Sequence, residues 1–303
     1  MSRTLAAVDI GSNTVHVLVA AVEEGEGGPR LRDLGHYVEM PRLGNEVGRS
    51  GRIGPAKSEE VFAALHTVLG QAREHRYEHL VAGATAAVRR AADAAEFLET
   101  ASRALGVPVR LISEQREAEL SFQGVAGRHA DPVGWLMADV GGGSTELVVA
   151  HGGRLELWVS LELGSGALAD RFLSDPPSPA ERELLQAAAV ERLEEAPRSE
   201  VRKLVATGGT AANLPPVVSP ERPTVLTAAD LMTARARLDA EPAAAVAGSV
   251  GLPEARVVAL RAGVEILLLV LDRYGLDRVH VSYEGLRHGM LLAYLAQGEQ
   301  WWR

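Results

Sequence analysis

The chain has 303 residues, a length that predicts two domains of about 150 residues each. Hydrophobic residues make up 47% and charged residues 23%, a composition that excludes a disordered protein. The formal net charge of −9 argues against nucleic acid or an anionic membrane as a general partner. Because the chain contains no cysteine, disulfides, thiolate metal sites and cysteine nucleophiles are excluded as well.

Strand and helix patterns alternate along the chain, which favours an α/β fold. Apolar alternation and short apolar runs predict strands at 4–10, 14–22, 78–84, 107–112, 134–140, 145–150, 154–161, 203–206 and 278–282. Helical spacing predicts helices at 57–75, 93–105, 114–123, 179–195, 256–274 and 284–295, with another after 210. The helix at 256–274 is apolar on more than one face, so we expect it to be buried. The proline pairs at 176–177 and 215–216 are predicted to lie in loops.

No targeting or membrane-spanning pattern is visible. Residues 5–22 are apolar, but Asp9, Asn13 and His16 interrupt them. The longest later apolar run, 266–271, is far shorter than the roughly 18 residues that a membrane span needs. We therefore expect a cytoplasmic protein with no membrane partner.

One pattern occurs twice at the scale of a domain. The segment AVDIGSNTVHVLVA at 7–20 is similar to MADVGGGSTELVVA at 137–150, and Asp139 follows Asp9 by 130 positions. Each copy has an apolar strand, an aspartate, a turn rich in glycine and hydroxyl groups, and a second apolar strand. The repeat predicts two similar domains facing each other across a cleft.

The first turn, at 9–14, has the chemistry of an anion site. Glycine permits close backbone approach and positive φ, while hydroxyl and backbone N–H groups point at an anion. Asp9 would hold a cation that bridges to phosphate, because a carboxylate repels phosphate directly. Taken alone, the turn is better explained as a plain hairpin with Asp9 capping its own backbone, which is the commoner use of such residues. The phosphate-binding candidates are Gly11, Ser12, Asn13 and Thr14.

The second turn, at 139–146, gives a stronger signal, since three consecutive glycines carry an entropic cost that an ordinary turn does not need. The apolar strands on both sides disfavour a merely flexible loop. We interpret the turn as a phosphate cradle beside a metal site. The phosphate-binding candidates are Gly141, Gly142, Gly143, Ser144 and Thr145, and the metal candidates are Asp139 and Glu146.

A third glycine turn, TGGT at 207–210, follows a predicted strand and opens a predicted helix. Backbone N–H groups and the positive end of a helix dipole suit a phosphate there, so Gly208, Gly209 and Thr210 are candidates. A single Gly-Gly pair is weak, but three such turns in one chain are hard to attribute to chance.

These segments together resemble the exopolyphosphatase and guanosine pentaphosphate phosphohydrolase (Ppx/GppA) family, in the acetate kinase, actin and sugar kinase superfamily. The resemblance covers nearly the whole chain, and the length is that of the short, two-domain members. It is carried by AAVDIGSNTVHVLVA, GATAAVRRAADAAEFL, VRLISEQREAELSFQGV, MADVGGGSTELVVA, SLELG, VATGGTAANL and VSYEGLRHGMLL.

The resemblance implies two ribonuclease H-like (actin-like ATPase) domains related by duplication, with an interdomain cleft. The first would comprise residues 1–124 with a C-terminal helix at about 290–303, and the second residues 125–289. The implied activity is metal-dependent release of terminal phosphate from inorganic polyphosphate or guanosine pentaphosphate, with Mg or Mn as cofactor. A non-catalytic sensor of polyphosphate or a phosphorylated nucleotide is the alternative, a kinase is disfavoured, and a homodimer is left open.

The resemblance also assigns individual residues. Glu117 matches the family's general base, Arg89 its phosphate-binding arginine, and Arg42 a second basic position. Asp139 and Glu146 match carboxylates near the metal, and Asp9 joins them from the first turn. Outside the resemblance, His16 is expected in a core or interface role, and Trp301-Trp302 packs on a neighbour or anchors the tail.

The chain departs from the family pattern at several positions. Gln115-Arg116 stands where acids usually precede the base, Glu119 replaces an arginine, Ala167 stands near the place of another arginine, and Val258 replaces an aspartate. The lost cations put affinity for long polyphosphate in doubt and support the sensor alternative. The retained Glu117 and Asp139 argue against that alternative.

Overall fold

The protein is described by a computed structural model in which residues 3–25, 28–129 and 134–303 are placed. The chain divides into two compact units. Unit 1 contains the residues up to Val125 together with Glu284–Arg303, and unit 2 contains Ala126–Tyr283.

The strands are β1 (Thr4–Ile10), β2 (Val15–Gly25), β3 (Gly28–Glu39), β4 (His79–Ala84), β5 (Val109–Leu111), β6 (Trp135–Val140), β7 (Thr145–His151), β8 (Arg154–Leu161), β9 (Leu204–Thr207), β10 (Val225–Thr227) and β11 (Arg278–Val281). The helices are α1 (Leu43–Ser50), α2 (Gly54–Ala72), α3 (Ala86–Arg90), α4 (Ala94–Leu105), α5 (Glu114–His129), α6 (Ser165–Phe172), α7 (Pro179–Leu193), α8 (Gly208–Asn213), α9 (Pro215–Val218), α10 (Ala228–Ala240), α11 (Ala243–Val250), α12 (Glu254–Tyr274) and α13 (Leu286–Gln297).

Unit 1 is built on a five-stranded sheet with the order β3-β2-β1-β4-β5. The first three strands form an antiparallel meander, and β4 and β5 run parallel to β1. Because β1 is buried on both faces, its residues divide between two cores: Val8 packs with α2 and α4, and Ala7 packs with α5 and α13. A strand covered on both sides needs the continuous apolar run that the sequence shows.

Unit 2 has a six-stranded sheet with the order β10-β11-β9-β6-β7-β8. Its strands β8-β7-β6-β9-β11 repeat the order and directions of the unit 1 sheet, and β10 adds an antiparallel edge. Helix α12 is buried on several faces, as its apolar sequence predicts. The sheets therefore confirm the two similar α/β domains expected from the repeat, with the duplication that the family resemblance implies.

Some details differ from the sequence predictions. Pro215-Pro216 was expected in a loop but begins α9, because proline fits the first turn of a helix, where its missing N–H is not needed. Helix α5 continues beyond 123 to His129, with Gly124 inside it. Among the glycines of the three turns, the positive φ that glycine permits occurs at Gly208, where φ is 81°, and not at Gly11. Within the placed residues, no helix has the length and apolar character needed to cross a membrane.

Candidate functional site

The first glycine turn, between β1 and β2, is closed by a hydrogen bond from Gly11 N to Thr14 O of 2.9 Å. The chain before α1 is bound to this turn: Arg42 N donates to Asn13 O at 3.1 Å, and Gly44 N donates to Ser12 O at 2.7 Å. Arg42 takes the left-handed conformation with φ of 52°. The structure thus brings the backbone of Arg42, the second predicted basic position, to the first predicted phosphate turn at 11–14.

Asp9 is the penultimate residue of β1, beside this turn, and faces His16 across the β1–β2 pair. Arg287 Nη1, from α13, lies 3.7 Å from Asp9 Oδ2. His16 is half-buried, with its ring centroid 6.1 Å from that of His36. Arg287 was not singled out from the sequence, although it lies in the VSYEGLRHGMLL segment, because its partner is 278 positions away.

Arg89 and Glu117, the predicted phosphate-binding arginine and general base, are in contact. Arg89 Nη1 donates to Glu117 Oε2 at 2.5 Å and to Ile112 O at 2.8 Å. Both side chains are largely buried, with 14% of Arg89 and 9% of Glu117 exposed. Since both bonds use Nη1, the other guanidinium N–H groups have no protein acceptor among the placed residues. Thr85 N donates to Ile10 O at 3.2 Å, which ties the start of α3 to the end of β1.

The triple-glycine turn, between β6 and β7, is closed like the first one, by Gly141 N donating to Ser144 O at 3.0 Å. Helix α6 begins against it: Ser165 N donates to Gly141 O at 2.9 Å and Gly166 N to Gly142 O at 3.1 Å. A Cβ at Gly164 would collide with Gly142 and Gly143. The turn is therefore packed and hydrogen-bonded on one side, which argues against a merely flexible loop.

Asp139 and Glu146 face each other across the β6–β7 pair beside this turn. Glu146 is buried and accepts a hydrogen bond from Ser160 Oγ at 2.8 Å. A Cβ at Gly208 would collide with Asp139 Oδ1, so the carboxylate lies directly on the third glycine turn. Paired carboxylate oxygens suit a hard cation such as Mg²⁺ or Mn²⁺.

No group of three His, Asp or Glu side chains in the placed part of the chain is arranged to hold a metal by itself. Magnesium is usually bound through one or two carboxylates and completes its shell with water and phosphate oxygens. The pair in unit 2 therefore fits a cation that binds together with a phosphorylated ligand.

The third turn lies where β9 runs into α8, with Thr210 buried. A Cβ at Gly209 would contact the guanidinium of Arg256, so this arginine of α12 lies on the backbone of the turn. Sequence reasoning noted Arg256 only as the start of a helix. A cation at this turn can be recognised only when the packing of α12 against α8 is known.

Two ribonuclease H-like domains, each with an Asp-Gly turn between its first two strands, define a protein of the actin-like class. The profile of the Ppx/GppA phosphatase family matches residues 18–297. The chain therefore belongs to the Ppx/GppA phosphatase family, which supports a phosphatase activity.

Solved structures agree with this assignment. The crystal structure of the Aquifex aeolicus member of the Ppx/GppA family is 26% identical, with 99% of each chain covered and a TM-score of 0.79. An exopolyphosphatase-like protein is 25% identical over 97% of this chain and 98% of its own, with a TM-score of 0.85. An exopolyphosphatase from Cytophaga hutchinsonii shares the fold at 23% identity, with the same coverage and a TM-score of 0.85.

Proposed function

We propose that the protein is a metal-dependent phosphoanhydride hydrolase that releases terminal phosphate from inorganic polyphosphate or guanosine pentaphosphate. The observation that carries the proposal is the contact between Arg89 and Glu117, because it pairs a buried cation with a buried carboxylate in a member of a phosphatase family. A solved structure that is 25% identical is that of an exopolyphosphatase-like protein, which supports the proposal.

Glu117 is the proposed general base. Phosphoanhydride hydrolysis passes through a loose, in-line transition state, so an enzyme must orient the attacking water and neutralise charge. A carboxylate fixed by a guanidinium meets the first requirement, since Arg89 holds Oε2 in one place. Glu117 would orient a water molecule and accept its proton while the water oxygen attacks the terminal phosphorus. The bond from that phosphorus to the bridging oxygen breaks, and the shortened phosphate chain leaves with the bridging oxygen.

Arg89 is the proposed cation for the terminal phosphate. Its Nη2 and Nε hydrogens are available for the charge-assisted hydrogen bonds that arginine makes with phosphate oxygens. The backbone N–H groups of the turns at 11–14, 141–145 and 208–210 are the further proposed phosphate donors. Arg89 would thus fix the base and the electrophile relative to each other.

Asp139 and Glu146, with Asp9 as a third candidate, are the proposed ligands of Mg²⁺ or Mn²⁺, which would supply charge neutralisation at the phosphoryl oxygens. The guanidinium of Arg287 already lies beside Asp9. We therefore propose that Asp139 and Glu146 of unit 2 contribute more to cation binding than Asp9 does.

The test is phosphate release from polyphosphate and from guanosine pentaphosphate, measured with Mg²⁺, with Mn²⁺ and with excess EDTA. We expect turnover on at least one substrate, lost with EDTA and restored by the metal. Turnover that survives EDTA would contradict the proposed dependence on a metal ion. If either ligand binds tightly but no phosphate is released under any of these conditions, the protein would be a non-catalytic sensor and not a hydrolase.

A further inference from the structure

Helix α5, which carries Glu117, is fixed to α13 along one stripe. Arg116, Leu120 and Gly124 are spaced four residues apart and therefore share a face of the helix. A Cβ at Gly124 would collide with the Gly285 carbonyl, and a Cβ at Gly289 would collide with the Leu120 carbonyl. The two backbones touch at these points, so α5 cannot shift towards α13.

Arg116 makes the third contact of this stripe, at the end nearest the proposed base. Its Nε and Nη2 donate to Trp301 O at 3.0 and 2.5 Å, and Nη2 also donates to Gln297 Oε1 at 3.1 Å. Its Nη1 donates to Glu119 Oε2 at 3.0 Å. All three guanidinium nitrogens are used, and only 6% of the residue is exposed.

A buried arginine in the first turn of a helix is unfavourable by itself. The positive end of the helix dipole repels it, and burial of its charge requires partners. Arg116 and Glu119, two of the positions at which the chain departs from the family pattern, form an ion pair with each other. The arginine is therefore held by specific contacts, of which those to Trp301 and Gln297 reach outside α5.

The segment that receives Arg116 also supports the residues around the base. Trp301 is buried in the same apolar cluster as Ile112 and Leu120. Ile112 immediately precedes the turn into α5, and its carbonyl accepts a hydrogen bond from Arg89. Trp301 thus contributes its backbone to Arg116 and its ring to the core beneath the start of α5.

We propose that Arg116 is a positioning residue for Glu117: by binding Trp301 and Gln297, it fixes the first turn of α5 and so the direction of the neighbouring carboxylate. The proposal rests on the proposed hydrolase function with Glu117 as its base. Arg116 touches no reacting atom in this arrangement, and its effect passes through the helix backbone.

The test compares Arg116→Met, which keeps the aliphatic length and removes every hydrogen bond, with Arg116→Lys, which keeps one donor group. Arg103→Met is the matched control, because Arg103 is an exposed arginine of α4 that bonds only to its own helix. For each variant, kcat and KM for phosphate release are measured together with hydrogen exchange of the amides at 113–119. Because a displacement of about 1 Å can cost about 100-fold, we expect Arg116→Met to lower kcat by roughly 10- to 100-fold.

The expected pattern is a lowered kcat with unchanged KM, faster exchange confined to the start of α5, partial recovery in Arg116→Lys, and no effect in Arg103→Met. Unchanged kcat in a folded Arg116→Met protein would overturn the proposal, as would loss of protection throughout unit 1. If Arg116→Met does not fold, the same outcomes are read from Arg116→Lys. If the wild type releases no phosphate, the hydrolase function fails, whereas exchange at 113–119 still decides whether Arg116 fixes this turn.

Discussion

Arg261 of unit 2 and Arg89 of unit 1 have different surroundings, although the units share one topology. In unit 2, Arg261 is 1% exposed, and each of its guanidinium nitrogens has an acceptor, among them Leu238 O, Glu241 O and Asp175 Oδ1. In unit 1, Arg89 uses a single nitrogen for both its bonds. The fully bonded Arg261 is suited to holding the fold together, whereas the guanidinium donors that Arg89 has left over are suited to a ligand.

The neighbours of Arg261 strengthen this contrast. Arg182 donates to the Arg261 carbonyl and pairs with Asp239, and Arg235 lies 3.0 Å from the buried Glu265. Burial raises the pKa of Asp239 above its ordinary value, although Arg182 opposes the shift. The network joins α7, α10 and α12. Its place in the fold indicates that it stabilises unit 2 and takes no part in catalysis.

The largest effect is expected from Glu117→Gln, which keeps the size of the side chain and removes the proton acceptor. Because a general base contributes about 100- to 10,000-fold, kcat for phosphate release should fall by that factor, with KM nearly unchanged. Glu114→Gln, at an exposed position of the same helix turn, is the control and should retain wild-type turnover. Near wild-type kcat in Glu117→Gln would show that another group is the base.

Arg261→Met should act on stability and leave the chemistry intact. Removing one partner of a buried pair leaves the others without compensation, so we expect a loss of about 3–5 kcal/mol in the free energy of unfolding. Urea denaturation measures this loss, and turnover per folded molecule should stay the same. Arg192→Met is the control, because that arginine is exposed and should change stability by less than about 1 kcal/mol. Equal losses of stability in Arg261→Met and Arg192→Met would contradict the stabilising role assigned to Arg261.

Arg89→Ala should raise KM by roughly 10- to 100-fold, because hydrogen bonds to charged groups contribute about 1.5–3 kcal/mol. Steady-state phosphate release checks this, with the exposed neighbour Arg90→Ala as control. A fall in kcat alone, with KM unchanged, would mean that Arg89 only orients Glu117 and does not bind phosphate.

The smallest effect concerns Asp33 in unit 1. Burial raises its pKa, but hydrogen bonds from His288 and His36 outweigh burial, so the pKa is lowered well below its ordinary value. A carboxyl group with a lowered folded-state pKa stabilises the fold above its unfolded pKa of about 3.9 and loses that effect as the pH falls towards the folded-state pKa.

Asp33→Asn should therefore be less stable than the wild type at pH 6, with the difference shrinking below about pH 4. Denaturation measured from pH 7 to pH 3 tests this. Asp272→Asn, an exposed position of α12, is the control and should follow the wild type throughout. A difference that grows on acidification would refute the assignment.

The sequence predicted those features that depend on residues close together in the chain, such as the bounds of single strands and helices. Strand β8 was expected at 154–161 and is found at Arg154–Leu161, and the helix expected at 93–105 is found at Ala94–Leu105. Helix α11 was missed because its alanines give no contrast between faces, and α3 because five residues are too few to show a period. Short or uniformly small segments become helical through packing, which a single sequence does not display.

The candidate site shows the same limit. Arg89 and Glu117 were both identified, but their contact was not, since 28 positions separate them. Arg116 was noted only as a departure from a pattern, and its partners Gln297 and Trp301 lie more than 180 positions away. A residue's type can suggest its chemistry, whereas its partners depend on the three-dimensional fold.

The division of unit 1 into two stretches of chain has a consequence for biosynthesis. The helix that carries Glu117 is made early, but α13 and Trp301, on which it rests, lie in Glu284–Arg303 and leave the ribosome after all of unit 2. Since domains fold as units during synthesis, unit 2 can close while one face of the unit 1 sheet is covered by α5 but not yet by α13 and Trp301. A nascent chain stalled just before residue 284 should expose Leu5, Ala7 and Leu18, and would be the form of this protein most in need of a chaperone.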